Sequence, residues 1–195
     1  MNSLLGAVKE KFPDVQRRDA RMVDEPALIA TPSVVKDLAG FLKENDIYPF
    51  DYCRSVTGLD KVDRFEVVYN LTRMPDPGNS HGFSFERLAL VVEIGDRENP
   101  ETPTLLELWP SVDLQEREVY DLVGVSFAGH PDLRRVLLDE EFVGFPLRKD
   151  YPIIGKLEDM ESIGAYLDEH QVKTMKEAEG LDFDPVKDVP PNYKR

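Results

Sequence analysis

The stretch that decides the fold is "RFEVVYNLT", residues 64–72. Phe65, Val67, Tyr69 and Leu71 fall on every second position, so they share one side of an extended strand. A run from about Phe83 to Ile94 repeats the pattern in "FERLALVVEI" (85–94), with Leu88, Leu90, Val92 and Ile94. The two runs read as antiparallel partners on a sheet buried on one face. "MPDPGNSHG" (74–82) joins them as a loop, longer and richer in proline and glycine than a tight hairpin turn.

Outward from this pair, a strand-like run spans about Cys53 to Leu59, and "ALIA" (27–30) and a short piece near Val15 precede it. Ser3 can cap a helix with Leu4, Leu5, Val8 and Phe12 on one face, which Pro13 ends. Thr31 followed by Pro32 opens a second helix, with Val34, Val35, Leu38, Phe41 and Leu42 at helical spacing up to about Asn45. Thr102 and Pro103 repeat that signature in "NPETPTLLELW" (99–109) and predict a third helix. Asp113 and Glu116 make a capping-box-like start for a fourth, which Gly124 can end in a left-handed cap. Then come "VSF" (125–127) as a short extended piece, "AGHP" (128–131) as a turn, and one or two helical turns capped by Asp132 and running through Leu138.

A chain of 195 residues suits one domain with appendages. Its net charge of −14 disfavours nucleic acid or an anionic membrane surface as a direct partner. Cys53 is the only cysteine, which excludes an intrachain disulfide and a cysteine-ligated iron–sulfur cluster within this chain. No run approaches the ~18 apolar residues of a membrane span, so direct membrane insertion is not expected. The N-terminal residues lack the basic start of a signal peptide.

"LQEREVYDLVGVSFAGHPDLRRVLL" (114–138) concentrates the charge chemistry. On a helix, Glu116 with Tyr120 and Arg117 with Asp121 stand four apart, a spacing worth roughly 0.2–0.5 kcal/mol per pair when exposed. A catalytic reading would pair Glu116 or Glu118 with Asp121, or use His130 as a proton shuttle. No nucleophile or phosphate loop lies nearby, and the other histidines, His81 and His170, sit in a loop and a tail. The simpler role for His130, before Pro131, is a ring hydrogen-bonded locally to fix its turn. Arg134 and Arg135 point about 100° apart on a helical turn, so one can pair within the chain while the other reaches out. In an extended "RKD" (148–150), Arg148 and Asp150 share one side and Lys149 takes the other.

In residue order and spacing, these motifs closely resemble the signature of the C subunit of NADH:quinone oxidoreductase, the 30-kDa subunit family of respiratory complex I. The matching positions are Glu116, Arg117, Glu118, Tyr120, Asp121, Gly124, Phe127, Gly129, His130, Pro131, Asp132, Leu133, Arg134 and Arg135. They continue in Pro146, Leu147, Arg148, Lys149, Asp150, Tyr151 and Pro152. The order of elements upstream, "RFEVVY" included, is also similar, so the resemblance covers roughly residues 1–152. It implies an α+β domain over residues 1–143, with helices packed on one face of a mainly antiparallel four-stranded sheet. A C-terminal tail, 144–195, would run extended and wrap a partner subunit. Its residues 158–179 have helical spacing in Met160, Ile163, Leu167 and Met175, and after Pro152 it departs from the family pattern.

The resemblance further implies a structural and assembly subunit of the peripheral arm, without catalytic, cofactor or metal sites of its own. FMN and Fe–S clusters would sit on partner subunits, chiefly around the large quinone-site subunit and its Fe–S neighbours. The chain would lie on the cytoplasmic side of the prokaryotic plasma membrane, held there through the complex. The signature charges would act as a brace for docking. The alternative is the equivalent subunit of a related membrane-bound [NiFe]-hydrogenase, F420H2 dehydrogenase or photosynthetic ferredoxin–plastoquinone complex, in which the chain would do the same job. A stand-alone acid–base enzyme or a free scaffold is the reading from other classes.

Overall fold

The computed structural model describes residues 2–19, 26–45, 49–74 and 87–151. Helix α1 spans Asn2–Lys11, strand β1 Gln16–Asp19, β2 Pro26–Ala30 and helix α2 Pro32–Glu44. Three longer strands follow, β3 at Tyr52–Asp60, β4 at Phe65–Thr72 and β5 at Arg87–Ile94. A short strand β6 (Glu101–Pro103), a 3-10 turn (Pro110–Val112), helix α3 (Asp113–Val123) and strand β7 (Ser126–Ala128) complete the series.

The central pair forms as its alternation predicts. β4 lies antiparallel to β5, with Val67 opposite Val92 and Tyr69 opposite Leu90. Side chains on the same face, Phe65, Val67, Tyr69, Leu71, Leu88, Leu90, Val92 and Ile94, are all buried in one core. Leu4 and Val8 of α1, Val35, Leu38, Ala39 and Leu42 of α2, and Val119 and Val123 of α3 join that same core. The α+β architecture, with helices on one face of a mainly antiparallel sheet, is therefore present.

The sheet has five strands rather than the expected four, in the order β1-β2-β5-β4-β3. The short piece expected near Val15 forms as β1, "QRRD", a charged edge strand paired antiparallel to β2. β2 runs parallel to β5, as the α2 crossover between β2 and the following strands permits. The opposite edge, β3, is blunted from the side. Gln115 Oε1 accepts the Val56 N–H at 2.7 Å, and Ser111 donates its hydroxyl to the Cys53 carbonyl at 3.0 Å. Both contacts occupy backbone groups that another strand could otherwise pair with.

Two expected helices do not form. Thr102 and Pro103 belong to β6, which pairs parallel with β7. The Thr104 N–H then donates to the Ala128 carbonyl and the Leu105 N–H to the Glu116 carboxylate, so the first donors of a helix are taken elsewhere. Trp109 is buried instead, donating its indole N–H to the Phe50 carbonyl at 2.9 Å. Residues 132–138 likewise form bends and turns, not a helix. Residues 144–151 turn back on the domain rather than running extended, with N–H bonds from Leu147 to Leu122, Arg148 to Phe145 and Tyr151 to Arg148. The loop at 75–82, the start of the predicted 83–94 strand and the 158–179 segment fall outside the described residues.

α2 starts where Thr31 and Pro32 place it, with proline in the first turn. α3 ends at Gly124, whose φ of 78° makes the left-handed cap and whose N–H reaches the Tyr120 and Val119 carbonyls. The close approach of α3 to the sheet depends on Gly58, since a Cβ there would lie 2.7 Å from Val119 Cγ1 and 3.0 Å from Val123 Cγ2. Gly58→Ala is expected to overpack this contact and destabilise the chain by about 1–3 kcal/mol. Chemical denaturation checks this, and an unchanged midpoint would mean that α3 can slide to make room.

Candidate functional site

The signature assembles around two carboxylates on α3 that the helix turns inward. Glu116 and Asp121 are both 0% exposed. The predicted pairs with Tyr120 and Arg117 are absent, because each acid is claimed by groups distant in sequence. Glu116 accepts from Tyr69 Oη at 3.0 Å, the Leu105 N–H at 3.0 Å and Thr104 Oγ1 at 2.5 Å. It does not serve as part of a capping box, and Asp113 makes no cap hydrogen bond.

Asp121 Oδ2 accepts three consecutive backbone N–H groups, Val136 at 3.0 Å, Leu137 at 2.7 Å and Leu138 at 3.0 Å. Its Oδ1 takes Arg135 Nη1 at 2.9 Å, while Arg135 Nη2 donates to the Gly144 carbonyl at 2.9 Å. One side chain thus folds residues 135–144 over the outer side of α3, in place of the helix that Asp132 was expected to cap. Asp132 is bound to Arg134 Nε at 3.0 Å on the surface. Arg135 turns inward and Arg134 lies at the surface, but both pair within the chain, with Asp121 and Asp132, so the expected split between one paired and one outreaching arginine does not occur.

His130 fixes its own turn, as expected. Its Nδ1 accepts the Asp132 N–H at 3.2 Å, and its backbone N–H donates to the Phe127 carbonyl at 3.1 Å. Its Nε2 lies 3.2 Å from Asp113 Oδ1, without the alignment of a hydrogen bond. Gly129, at φ 83°, supplies the left-handed turn before it, and Pro131 is exposed at the bend. Arg117 donates to the Arg134 carbonyl at 3.3 Å and lies 3.7 Å from Asp132. Glu118 points to solvent, and the Tyr120 ring packs edge-on against Phe145.

Arg148 reaches back across Gly124, donating to the Val123 carbonyl at 2.7 Å and the Gly124 carbonyl at 3.1 Å. A Cβ on Gly124 would sit 2.5 Å from the Phe145 ring and 2.6 Å from Arg148 Nη2, so glycine is required twice over at this position. Cations and rings then alternate. Arg97 lies 4.5 Å from the Phe65 centroid, Arg148 4.9 Å from Phe65 and 4.6 Å from Phe145, and Arg135 5.4 Å from Phe145 and 5.9 Å from Phe142. Phe142 stacks on Tyr151, whose hydroxyl donates to the Val143 carbonyl.

Asp60, which no sequence pattern singled out, anchors the far end of this ladder. Its carboxylate takes Arg97 at 2.6 and 3.1 Å, the Val62 N–H at 2.8 Å and the Lys149 N–H at 3.0 Å. Asp150 is exposed and 3.5 Å from Arg97. The expected split of "RKD" does not occur, since turned backbone sends each residue to a different partner.

These environments push the acids in opposite directions. Hydrogen bonds from Arg97 hold the Asp60 pKa well below the ordinary carboxylate range, against its burial. For Asp121, burial raises the pKa, but the donors at Leu138, Leu137, Val136 and Arg135 outweigh it and the net shift is downward. For Glu116 burial prevails over the hydrogen bonds from Thr104, Leu105 and Tyr69, and the pKa is raised. Neither buried acid on α3 can meet a substrate, so the acid–base pairing of Glu116 with Asp121 is not available. Among the described residues, no group of three His, Cys, Asp or Glu side chains is placed to hold a metal ion.

Asp121→Ala should cost about 3–5 kcal/mol, the usual penalty for leaving a buried charge such as Arg135 unpaired. Glu116 carries the opposite sign from Asp60 and Asp121. Lowered acids stabilise the fold above their unfolded values and lose that as pH falls. A raised acid loses stability as pH climbs from its ordinary value of 4.5 through the raised one. Glu116→Gln should therefore gain on the parent chain as pH rises, read from denaturation midpoints at about pH 4 and pH 7. A constant difference would contradict the raised Glu116.

The comparisons with known proteins point one way. Residues 28–157 match the family described as "Respiratory-chain NADH dehydrogenase, 30 Kd subunit". The C subunit of NADH-quinone oxidoreductase from Moorella thermoacetica is 37% identical over 153 residues, covering 77% of this chain and 95% of that protein. Its namesake in Hyphomonas neptunium is 33% identical over 192 residues, covering 94% and 88%. Among solved structures, the trypsin-resistant fragment (1-134) of Nqo5 is 29% identical with a TM-score of 0.56, covering 68% of this chain and 98% of the fragment. A chain of the archaeal membrane-bound sulfane sulfur reductase shares the fold, at 22% identity, a TM-score of 0.63 and coverage of 97% and 98%. This chain belongs to the 30-kDa subunit family of respiratory-chain NADH dehydrogenase, and the two relatives above are C subunits of NADH-quinone oxidoreductase.

Proposed function

We propose that this chain is a structural docking subunit of the peripheral arm of a proton-translocating NADH:quinone oxidoreductase and carries no active site or cofactor itself. FMN and Fe–S clusters on other subunits move the electrons from NADH to quinone. This chain holds its neighbours, chiefly the large quinone-site subunit, on the cytoplasmic side of the membrane. Attachment through partners fits the finding that among the described residues no helix is long and apolar enough to cross a membrane.

One observation carries this reading. The charged signature residues are largely consumed inside the chain, and the segment they fold over α3 presents apolar side chains outward. Leu137 is 62% exposed, Leu147 59% and Val143 46%, beside Leu114 on α3 at 58%. Apolar side chains displayed on a rigidly braced segment suit an interface with another subunit. The signature is then a brace: Asp121, Arg135 and Arg148 shape a surface that leucines and a valine contact.

Arg135→Ala or Asp121→Ala is expected to lower the amount of assembled complex on native gels, and Leu137→Asp with Leu147→Asp to do so without unfolding the chain. The NADH:quinone turnover of each complex that does assemble should stay at the parent value. Normal assembly with selectively lost quinone reduction would overturn the docking role.

A further inference from the structure

The turn after β7 closes on a histidine whose two ring nitrogens are engaged differently. The His130 side chain is fully buried, while Asp113, facing it from the start of α3, is half exposed. Nδ1 accepts the Asp132 N–H at 3.2 Å, so it carries no proton and the neutral ring holds its hydrogen on Nε2. That Nε2 is buried without a hydrogen-bond partner, 3.2 Å from Asp113 Oδ1.

Carboxylates gather around this ring. Asp113 and Glu116 of α3 and Asp132 of its own turn all attract a cation at His130. Asp132 is shared with Arg134 Nε at 3.0 Å and lies 3.7 Å from Arg117, two cations that oppose the attraction. The β6 side meets the turn through Thr104, an uncharged contact 3.6 Å from where a Cβ on Gly129 would sit. The nitrogen that would take the second proton is already occupied by a donor. Because the ring is closed off from solvent, a proton reaches Nδ1 only when the Asp132 N–H swings away.

We propose that His130 is a proton-operated latch on the turn that leads into the segment held by Asp121. The neutral ring holds the Asp132 N–H and keeps the turn shut. A proton taken from solvent converts Nδ1 from acceptor to donor, so the Asp132 N–H is expelled and the turn opens, with Nε2–H left beside Asp113. Residues 133–135 follow directly, so acid loosens the approach to the Arg135 pair with Asp121. The latch is a property of this chain alone, and only its effect on assembly rests on the docking role.

The test follows the full chain by nitrogen-15 NMR from about pH 8 to about pH 5, the range in which histidines ordinarily change charge. Two signals are read: the ring nitrogens of His130, and the exchange protection of the Asp132 amide corrected for the intrinsic pH dependence of exchange. At high pH the ring proton should sit on Nε2 with the amide protected. Acidification should lower that protection about tenfold, the scale of one lost hydrogen bond, at the same midpoint as ring protonation. His130→Asn places an amide oxygen where Nδ1 stands and takes up no proton, so its protection should stay high throughout. Asp113→Asn removes one attracting carboxylate and should move both midpoints to lower pH together. The latch is overturned by a ring that stays neutral over the whole range, by protection that survives ring protonation, by H130N losing protection as the parent does, or by unmoved midpoints in D113N. None of these outcomes bears on whether the chain joins a complex.

Discussion

The carboxylate of Asp121 is the constraint on which the rest of the signature depends. It gathers three successive N–H groups and a guanidinium, so residues 135–138 need no helix or strand to satisfy their backbone. Burying a carboxylate without such donors would be prohibitive. With them, a segment lacking regular structure acquires one conformation and carries Phe142, Phe145 and Arg148 into register with the core. The side chain replaces a secondary-structure element.

That replacement explains what could be read from the residues and what could not. The sheet, α2 and the glycine-capped end of α3 follow from local periodicity and cap chemistry, which act within a few residues. Thr102 and Pro103 misled because cap residues are equally at home at a strand end, and the competing partners, Ala128 and Glu116, lie far along the chain. Residues 132–138 misled for the same reason, since nothing in their spacing reveals that Asp121 will take their N–H groups. The signature positions themselves were identifiable through their family resemblance, but their partners were not. Tyr69, Thr104, Asp60 and Arg97 complete the network, and their side chains would look equally ordinary on any soluble surface.

The network also separates two kinds of charge on a strongly acidic chain. Pairs such as Lys36 with Glu107 are exposed and screened, contributing little. Asp60, Glu116 and Asp121 are removed from water and meet donors of fixed geometry. They specify which conformation is adopted more than how stable it is, the use to which buried polar groups are best suited.

The Asp60 bond to Lys149 has a consequence in the order of events during synthesis. Strands β3, β4 and β5 are complete once residue 94 is made, but one donor to the Asp60 carboxylate that ends β3 lies 89 residues downstream. The Val62 N–H and Arg97 can hold that carboxylate as soon as residue 97 is made, so the Lys149 bond is an addition that only a chain extended to residue 149 can make. Contacts of such long sequence separation form late because loop closure has to be met first. In this chain the turns at residues 144–151 tie a late segment back to the β3–β4 hairpin.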